Sequence, residues 1–188
     1  MRTSTTLLAL VLIAGPTLLL EASEARYQSE KPSSPVSQEL EALFKADQAD
    51  RNYESLSPEQ IKAAKARDEE RTLRVREIVQ KDTLDSVDAY IHAAAVLQHG
   101  VIAEDFLTAH VLATIAGYQG SSVGKWLAAA TLDRYLQFVG RAQLFGTQGS
   151  KEPLSKAIIS DTIRKLYCVL PLSEQRPGVS SRLTNCAQ

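Results

Sequence analysis

The chain has 188 residues, of which 44% are hydrophobic, and it carries 21 basic and 22 acidic side chains. This length and composition are typical of one globular domain with a targeting segment, and they argue against disorder over most of the chain. The near balance of charge argues against a nucleic acid or an anionic membrane surface as the partner.

The first 25 residues have the pattern of a secretory signal peptide. Arg2 precedes an apolar run from Leu7 to Leu20, and small residues near Ala25 fit cleavage after that position. Retention as a membrane anchor is the alternative, but this fourteen-residue run forms a helix of about 21 Å, shorter than the ~30 Å hydrocarbon core. We therefore predict a periplasmic or secreted protein with no stable membrane span after cleavage.

The rest of the chain divides into three parts. Residues 26–36 are polar and rich in proline and serine, which predicts a flexible leader. Residues 37–175 carry the helical patterns described below and form the predicted domain. Residues 176–188 are irregular in pattern and form a predicted tail.

Two helices are predicted in the first half of the domain. Apolar residues at three- and four-residue spacing predict a helix over about 36–52. Ser57, followed by a proline and by Gln60, predicts the capped start of a second helix that runs to about Gln80. Because this second helix is heavily charged, we expect it to be a solvated surface element.

Three Ala- and Leu-rich segments follow, over 86–99, 104–119 and 122–139. Each segment ends at a glycine that is a natural left-handed helix cap, namely Gly100, Gly120 and Gly140. A last short helix is predicted over 161–167, with Ser160 as its cap. Short connections imply helical hairpins, so the predicted fold is all-α, a compact bundle of about five or six helices.

The two cysteines, Cys168 and Cys186, both lie near the C-terminus. Two thiols in an exported chain usually form a disulfide, which here would hold the irregular tail against the domain. The alternative, a reactive thiol, requires a redox motif such as CxxC, and the sequence has none. We therefore predict the Cys168–Cys186 disulfide.

Polar residues interrupt the apolar faces of the predicted core helices. Gln98 ends the stripe of the third helix, His110 lies on the fourth, and Arg134, with Asp133 beside it, lies on the fifth. Polar groups directed toward a core need hydrogen-bond partners. These residues therefore either satisfy one another in a structural network or line a wet pocket.

A loop after the fifth helix combines Gln143, Thr147 and Gln148 with two glycines, Gly146 and Gly149. Glycines and short polar side chains let the backbone approach another surface closely. The loop therefore either caps helix ends or closes over a ligand.

The order and spacing of these motifs resemble those of a bacterial family, Domain of Unknown Function 6624. The matching motifs are Asp47-Gln48 with Arg51, Gln98-His99-Gly100, Asp133-Arg134, and Gln143-x-Phe145-Gly146-Thr147-Gln148. The resemblance covers about residues 38–175, and the chain departs from the family pattern over 53–90, where it is more charged. It implies an all-helical fold and no established activity.

His99 is the candidate for acid–base chemistry, since histidine alone titrates near neutrality without help. Asp133 is the carboxylate expected to orient it, and Arg134 or Gln148 would hold an anionic or carbonyl group. The alternative is a structural histidine at a helix C-terminus, where the helix dipole favours its charge. The sequence does not decide between a catalytic and a structural role for His99.

A metal site has little support from the sequence. Asp88, His92 and His99 share roughly one helix face, but no HExxH or comparable ligand spacing occurs. No phosphate-binding glycine loop and no GxSxG motif is present either. We therefore predict no metal and no cofactor.

The leading functional prediction is a small binding or interaction module with a polar groove, for an unidentified small molecule or envelope protein. Its predicted binding residues are Asp47, Gln48, Arg51, Gln98, Arg134, Gln143, Thr147 and Gln148. The alternative is an enzyme of the hydrolase or lyase type, with His99 and Asp133 as catalytic residues beside Arg134.

Overall fold

A computed structural model of the chain describes residues 33–51, 56–149, 158–176, 180–183 and 186. The predicted signal peptide and most of the predicted leader lie outside the described residues. In the described part, the regular elements are helices, together with isolated bridge positions such as the antiparallel pair of Val169 and Arg182. The predicted all-α fold is confirmed.

Six α-helices and one short 3-10 turn are present in the described ranges. The helices are α1 Pro35–Ala49, α2 Pro58–Lys81, α3 Val87–Leu97, α4 Ala103–Tyr118, α5 Ser122–Phe138 and α6 Asp161–Leu166, and the 3-10 turn is Leu172–Glu174. Each helix end lies within three residues of the predicted position. None of these helices is both long enough and apolar enough to cross a membrane.

Serine side chains begin five of the six helices. The predicted capping box at α2 is present, because Ser57 Oγ accepts from the Gln60 N–H at 3.3 Å and Gln60 Oε1 accepts from the Ser57 N–H at 2.7 Å. At the start of α6, Ser160 Oγ accepts from the Ile163 N–H at 3.3 Å. These local bonds satisfy backbone donors that have no partner within the helix.

The helix ends follow the glycine prediction in two cases out of three. Gly120 and Gly140 have positive φ values of 95° and 72°, as predicted. Gly100 does not have a positive φ, so that prediction is wrong. Its lack of a side chain has another reason, because a Cβ there would lie 2.0 Å from Asp105 Oδ2. Because Asp105 is buried against this turn between α3 and α4, a residue with a side chain does not fit at position 100.

α3 is the central helix of the bundle and contacts α1, α2, α4 and α5. Its last five residues, from Ala93 to Leu97, are all buried. A helix that is apolar on every side is typical of a core position. Gln98 and His99 follow immediately, so they are the first polar residues after the enclosed half of α3.

α4 and α5 form the most closely packed pair. A Cβ on Gly124 would lie 2.6 Å from the Gly117 nitrogen and 2.8 Å from the Ala116 Cβ. Small residues therefore let the two backbones approach, as the alanine content of these segments indicates. This approach places Arg134, near the end of α5, beside the α3–α4 turn.

The predicted disulfide between Cys168 and Cys186 is present, with a Cα–Cα distance of 5.3 Å. Cys168 follows α6 with a φ of 56°, and its N–H donates to Lys165 O at 3.0 Å. The Val169 N–H donates to Arg164 O at 2.9 Å, which completes a Schellman turn. The Leu183 N–H donates to Cys168 O at 2.7 Å, so the disulfide and a backbone bond both hold this segment.

Replacing both cysteines in the double variant Cys168→Ser/Cys186→Ser should lower the free energy of unfolding by about 3 kcal/mol, because the disulfide restricts the unfolded chain. Guanidinium denaturation of the oxidised wild type and the variant measures the difference. Reduced wild type is the control and should match the variant. Equal stability of oxidised wild type and variant would contradict the expected contribution.

Candidate functional site

A cavity of about 400 Å³ lies where the end of α1, the middle of α2, the α3–α4 turn and α5 come together. Four residues that the sequence indicated line it: Arg51, Gln98, His99 and Arg134. The rest of the lining is Lys65, Asp68 and Glu69 from α2, Gly100 and Val101 from the α3–α4 turn, and Phe106 from α4. The predicted polar motifs of α1, α3 and α5 therefore do meet at one place.

Asp47 lies behind this cavity wall and is fully buried. Its carboxylate accepts from Gln48 Nε2 at 2.8 Å and also binds the guanidinium of Arg51. His99 Nδ1 lies 3.0 Å from Asp47 Oδ1. Because a carboxylate accepts hydrogen bonds, we assign the proton to Nδ1 of His99. Asp47 thus holds both Arg51 and His99 in the wall.

The ionic contacts continue from α1 to α2. Arg51 Nη1 donates to Asp68 Oδ2 at 3.0 Å, and Arg71 Nη2 donates to Asp68 Oδ1 at 2.6 Å. Arg71 also donates to Asp50 at 2.8 Å. We call Asp47, Arg51, Asp68, Arg71 and Asp50 the ionic network. Its charges alternate in sign, so each buried charge has an opposite neighbour.

The part of this network that lies on α2 was not predicted from the sequence. The prediction that α2 is only a solvated surface element is wrong, because Asp68, Arg71 and Thr72 are buried. A signal was present: these residues continue the apolar stripe between Ala64 and Val75 at three- and four-residue spacing. Charged residues in the gap of an apolar stripe indicate a buried ionic contact.

Arg134 differs from the other basic groups of the cavity. Among the described residues no carboxylate forms an ion pair with it, although the guanidinium is partly buried in the cavity wall. Arg51, in contrast, is held by two carboxylates. A guanidinium removed from water usually requires such a partner.

The basic groups of the cavity influence one another's pKa values. Burial lowers the pKa of His99; the bond to Asp47 opposes this, and the charges of Arg51 and Arg134 lower it further. Burial and then the charge of Arg51 lower the pKa of Arg134. Arg134 is therefore close enough to Arg51 for the two positive charges to repel each other, and no described carboxylate forms an ion pair with Arg134.

Asp133 does not contact His99, so the predicted pairing of these two residues is wrong. The buried carboxylate of Asp133 accepts from the backbone N–H groups of Leu144, Phe145 and Thr147 at 2.7, 3.0 and 2.9 Å. It also accepts from Thr147 Oγ1 at 2.9 Å. The loop occupies its accepting positions, and Asp47 is the carboxylate that orients His99.

The remaining predicted binding residues form a second network within the loop. Gln143 Oε1 accepts from the Gln148 N–H at 2.9 Å, and Gln148 Nε2 donates to Ala130 O at 2.9 Å. Neither glutamine lines the cavity, and nor does Thr147. These contacts join the loop to Ala130 and Asp133 within α5, and not to the ends of helices as one interpretation predicted.

The histidines do not come together as metal ligands in the described ranges. His92 stacks on Phe44 with ring centroids 4.6 Å apart, whereas His99 is bonded to Asp47. No group of three His, Cys, Asp or Glu residues in this part of the chain is arranged to hold a metal ion.

Comparisons of the chain with protein-family models, with curated proteins and with solved structures give no match. Membership of the Domain of Unknown Function 6624 family therefore stays a prediction. The site has to be interpreted from its own geometry.

Replacing Asp133 by Asn should destabilise the protein by about 3 kcal/mol, because the amide loses charge-assisted bonds from loop N–H groups. Chemical denaturation measures the change. Asp82→Asn, at an exposed position after α2, is the matched control and should change stability by less than about 0.5 kcal/mol. An unchanged midpoint for Asp133→Asn would contradict the structural role of this carboxylate.

The stability of the protein should fall as the pH falls below about 6.5, in part through His99. Burial lowers the folded-state pKa of His99, so the unfolded chain takes up this proton at a higher pH than the folded protein does. Denaturation midpoints from about pH 7.5 to 5.5 should therefore decrease less in His99→Gln than in wild type. His92, whose pKa burial also lowers, is common to both proteins. Identical pH dependence would contradict the assignment.

Proposed function

We propose that this domain is a binding module for a small polar molecule, which occupies the cavity lined by Arg51, Gln98, His99 and Arg134. The observation that carries the proposal is Arg134, a partly buried guanidinium that lines the cavity without an ion-pair partner among the described residues. A purely structural network would be expected to pair this group with a carboxylate, as the ionic network pairs Arg51 with two.

The rest of the wall supports the same proposal. Asp47 holds Arg51 and His99, so their positions are set before any ligand arrives. Gln98 presents an amide that both donates and accepts hydrogen bonds. Concave sites with a few fixed polar groups beside apolar residues are the usual form of a small-molecule site.

We further propose that the protein acts outside the cytoplasm, in the periplasm or after secretion. The predicted signal peptide and the Cys168–Cys186 disulfide both support this location, since disulfides persist mainly in oxidising compartments. An envelope protein stays an alternative occupant of the groove.

A second candidate function is an enzyme of the hydrolase or lyase type. The specific observation that favours it is the bond between Asp47 and Nδ1 of His99, which leaves Nε2 without a bond to a described residue. A histidine oriented in this way is suited to take a proton from a substrate or from water. Arg134 would then hold the substrate, and Asp133 would have no part in the chemistry.

A thermal-shift screen with small molecules of each charge class tests the binding proposal. Binding at about 100 times the dissociation constant adds about 2.7 kcal/mol, which raises the melting temperature by several degrees. Gln98→Ala should reduce the shift, because Gln98 lines the cavity. Gln119→Ala is the matched control, since Gln119 is the corresponding cap residue of α4 and does not line the cavity.

The screen also separates the two candidates. A compound that stabilises wild type and both variants equally binds elsewhere and contradicts the proposal, as does a screen without hits. A hit that is chemically converted by wild type but not by His99→Ala would favour the enzyme.

A further inference from the structure

We infer that the ligand of this cavity is a small monocarboxylate with an apolar body, and that its carboxylate pairs with Arg134. This inference rests on the proposed binding function and specifies the ligand. It follows from the charges around the cavity, from the shape of the guanidinium group and from the apolar residues beside it.

Among the charged side chains around the cavity, one positive group has no negative partner. Around the end of α1 and on α2, three carboxylates, those of Asp47, Asp68 and Asp50, are paired with three guanidiniums, those of Arg51, Arg71 and Arg67. Lys65 and Glu69 are exposed, opposite in sign and four residues apart on α2, so they contribute little. Arg134 on α5 remains, with no ion-pair partner in the described ranges.

One negative charge fits this arrangement better than two. Burial favours the neutral form of His99 near neutral pH, so this ring adds no second positive charge. A doubly charged phosphate ester would therefore keep one charge without a partner. A carboxylate matches Arg134 in both charge and shape, because its two oxygens can bind a planar guanidinium side by side.

The apolar body follows from the residues next to Arg134. Phe106 lines the cavity, and its ring lies 5.3 Å from the ring of Phe138, one helical turn after Arg134 on α5. Val101 lines the same cavity from the α3–α4 turn. A ligand whose carboxylate reaches Arg134 would thus meet apolar surface beside it. The volume of about 400 Å³ is within the usual range for small-molecule sites.

Four compounds of nearly the same size test the inference: benzoate, neutral benzamide, cationic benzamidine and phenyl phosphate. Calorimetric titration of the whole oxidised protein, in a buffer free of carboxylates, should show the tightest binding for benzoate. Loss of a charge-assisted contact should weaken benzamide at least about tenfold relative to benzoate. Benzamidine should not bind, because Arg134 repels it.

Arg134→Gln should weaken benzoate binding at least about tenfold, and Arg134→Lys should restore part of it. Arg141→Gln is the matched control, since Arg141 is exposed just beyond α5 and should leave binding unchanged. The melting temperature of Arg134→Gln without ligand should not fall. Strong destabilisation would show that Arg134 has a structural partner and would overturn the inference.

Other results of these titrations would reject the monocarboxylate or the binding site itself. If benzamide and benzoate bind equally and Gln98→Ala weakens both, the inference of a carboxylate ligand is wrong. The binding proposal then still stands. If phenyl phosphate binds more tightly than benzoate, the monocarboxylate inference is wrong and the ligand class is a phosphate ester. If benzoate fails to bind and Gln98→Ala changes no ligand response in the wider screen, both the inference and the binding proposal fail.

Discussion

The arrangement of this protein depends on one buried carboxylate, that of Asp47. An ionised group without contact to water costs several kcal/mol unless cations and hydrogen-bond donors surround it. Arg51, just after the end of α1, and His99, beyond the end of α3, supply these contacts. These contacts of Asp47 connect the end of α1 to the end of α3. They also fix two of the basic groups that face the cavity, so the cavity wall follows from a folding constraint.

The same ion pairs explain why Arg134 has no carboxylate partner among the described residues. Asp47 and Asp68 are both engaged with Arg51. Asp133, the immediate neighbour of Arg134 in the chain, is occupied by backbone donors of the loop. The carboxylates of Asp47, Asp68 and Asp133 are therefore already engaged. Arg134 thus faces the cavity without a carboxylate partner among the described residues, and this observation favours the proposed binding site over a purely structural network.

The sequence was sufficient for the helices because their signals are local. A capping serine with a proline, as at Ser57, and a left-handed glycine, as at Gly120, depend only on neighbouring residues. The site was predictable only in part. The partner of His99 lies 52 residues away, and nothing in the periodicity distinguishes Asp47 from Asp133 for that role. Asp68 was missed because a charged helix was expected to be solvated, although its stripe position indicated burial.

A crystal structure of the protein with benzoate tests the central claim most directly, because it shows both the ligand and the contacts of Arg134. The account predicts a carboxylate within hydrogen-bond distance of the Arg134 guanidinium, with the aromatic ring against Phe106 and with the Asp47–His99 contact retained. An Arg134 side chain paired with an acidic residue of its own chain, and no benzoate in the cavity, would contradict it.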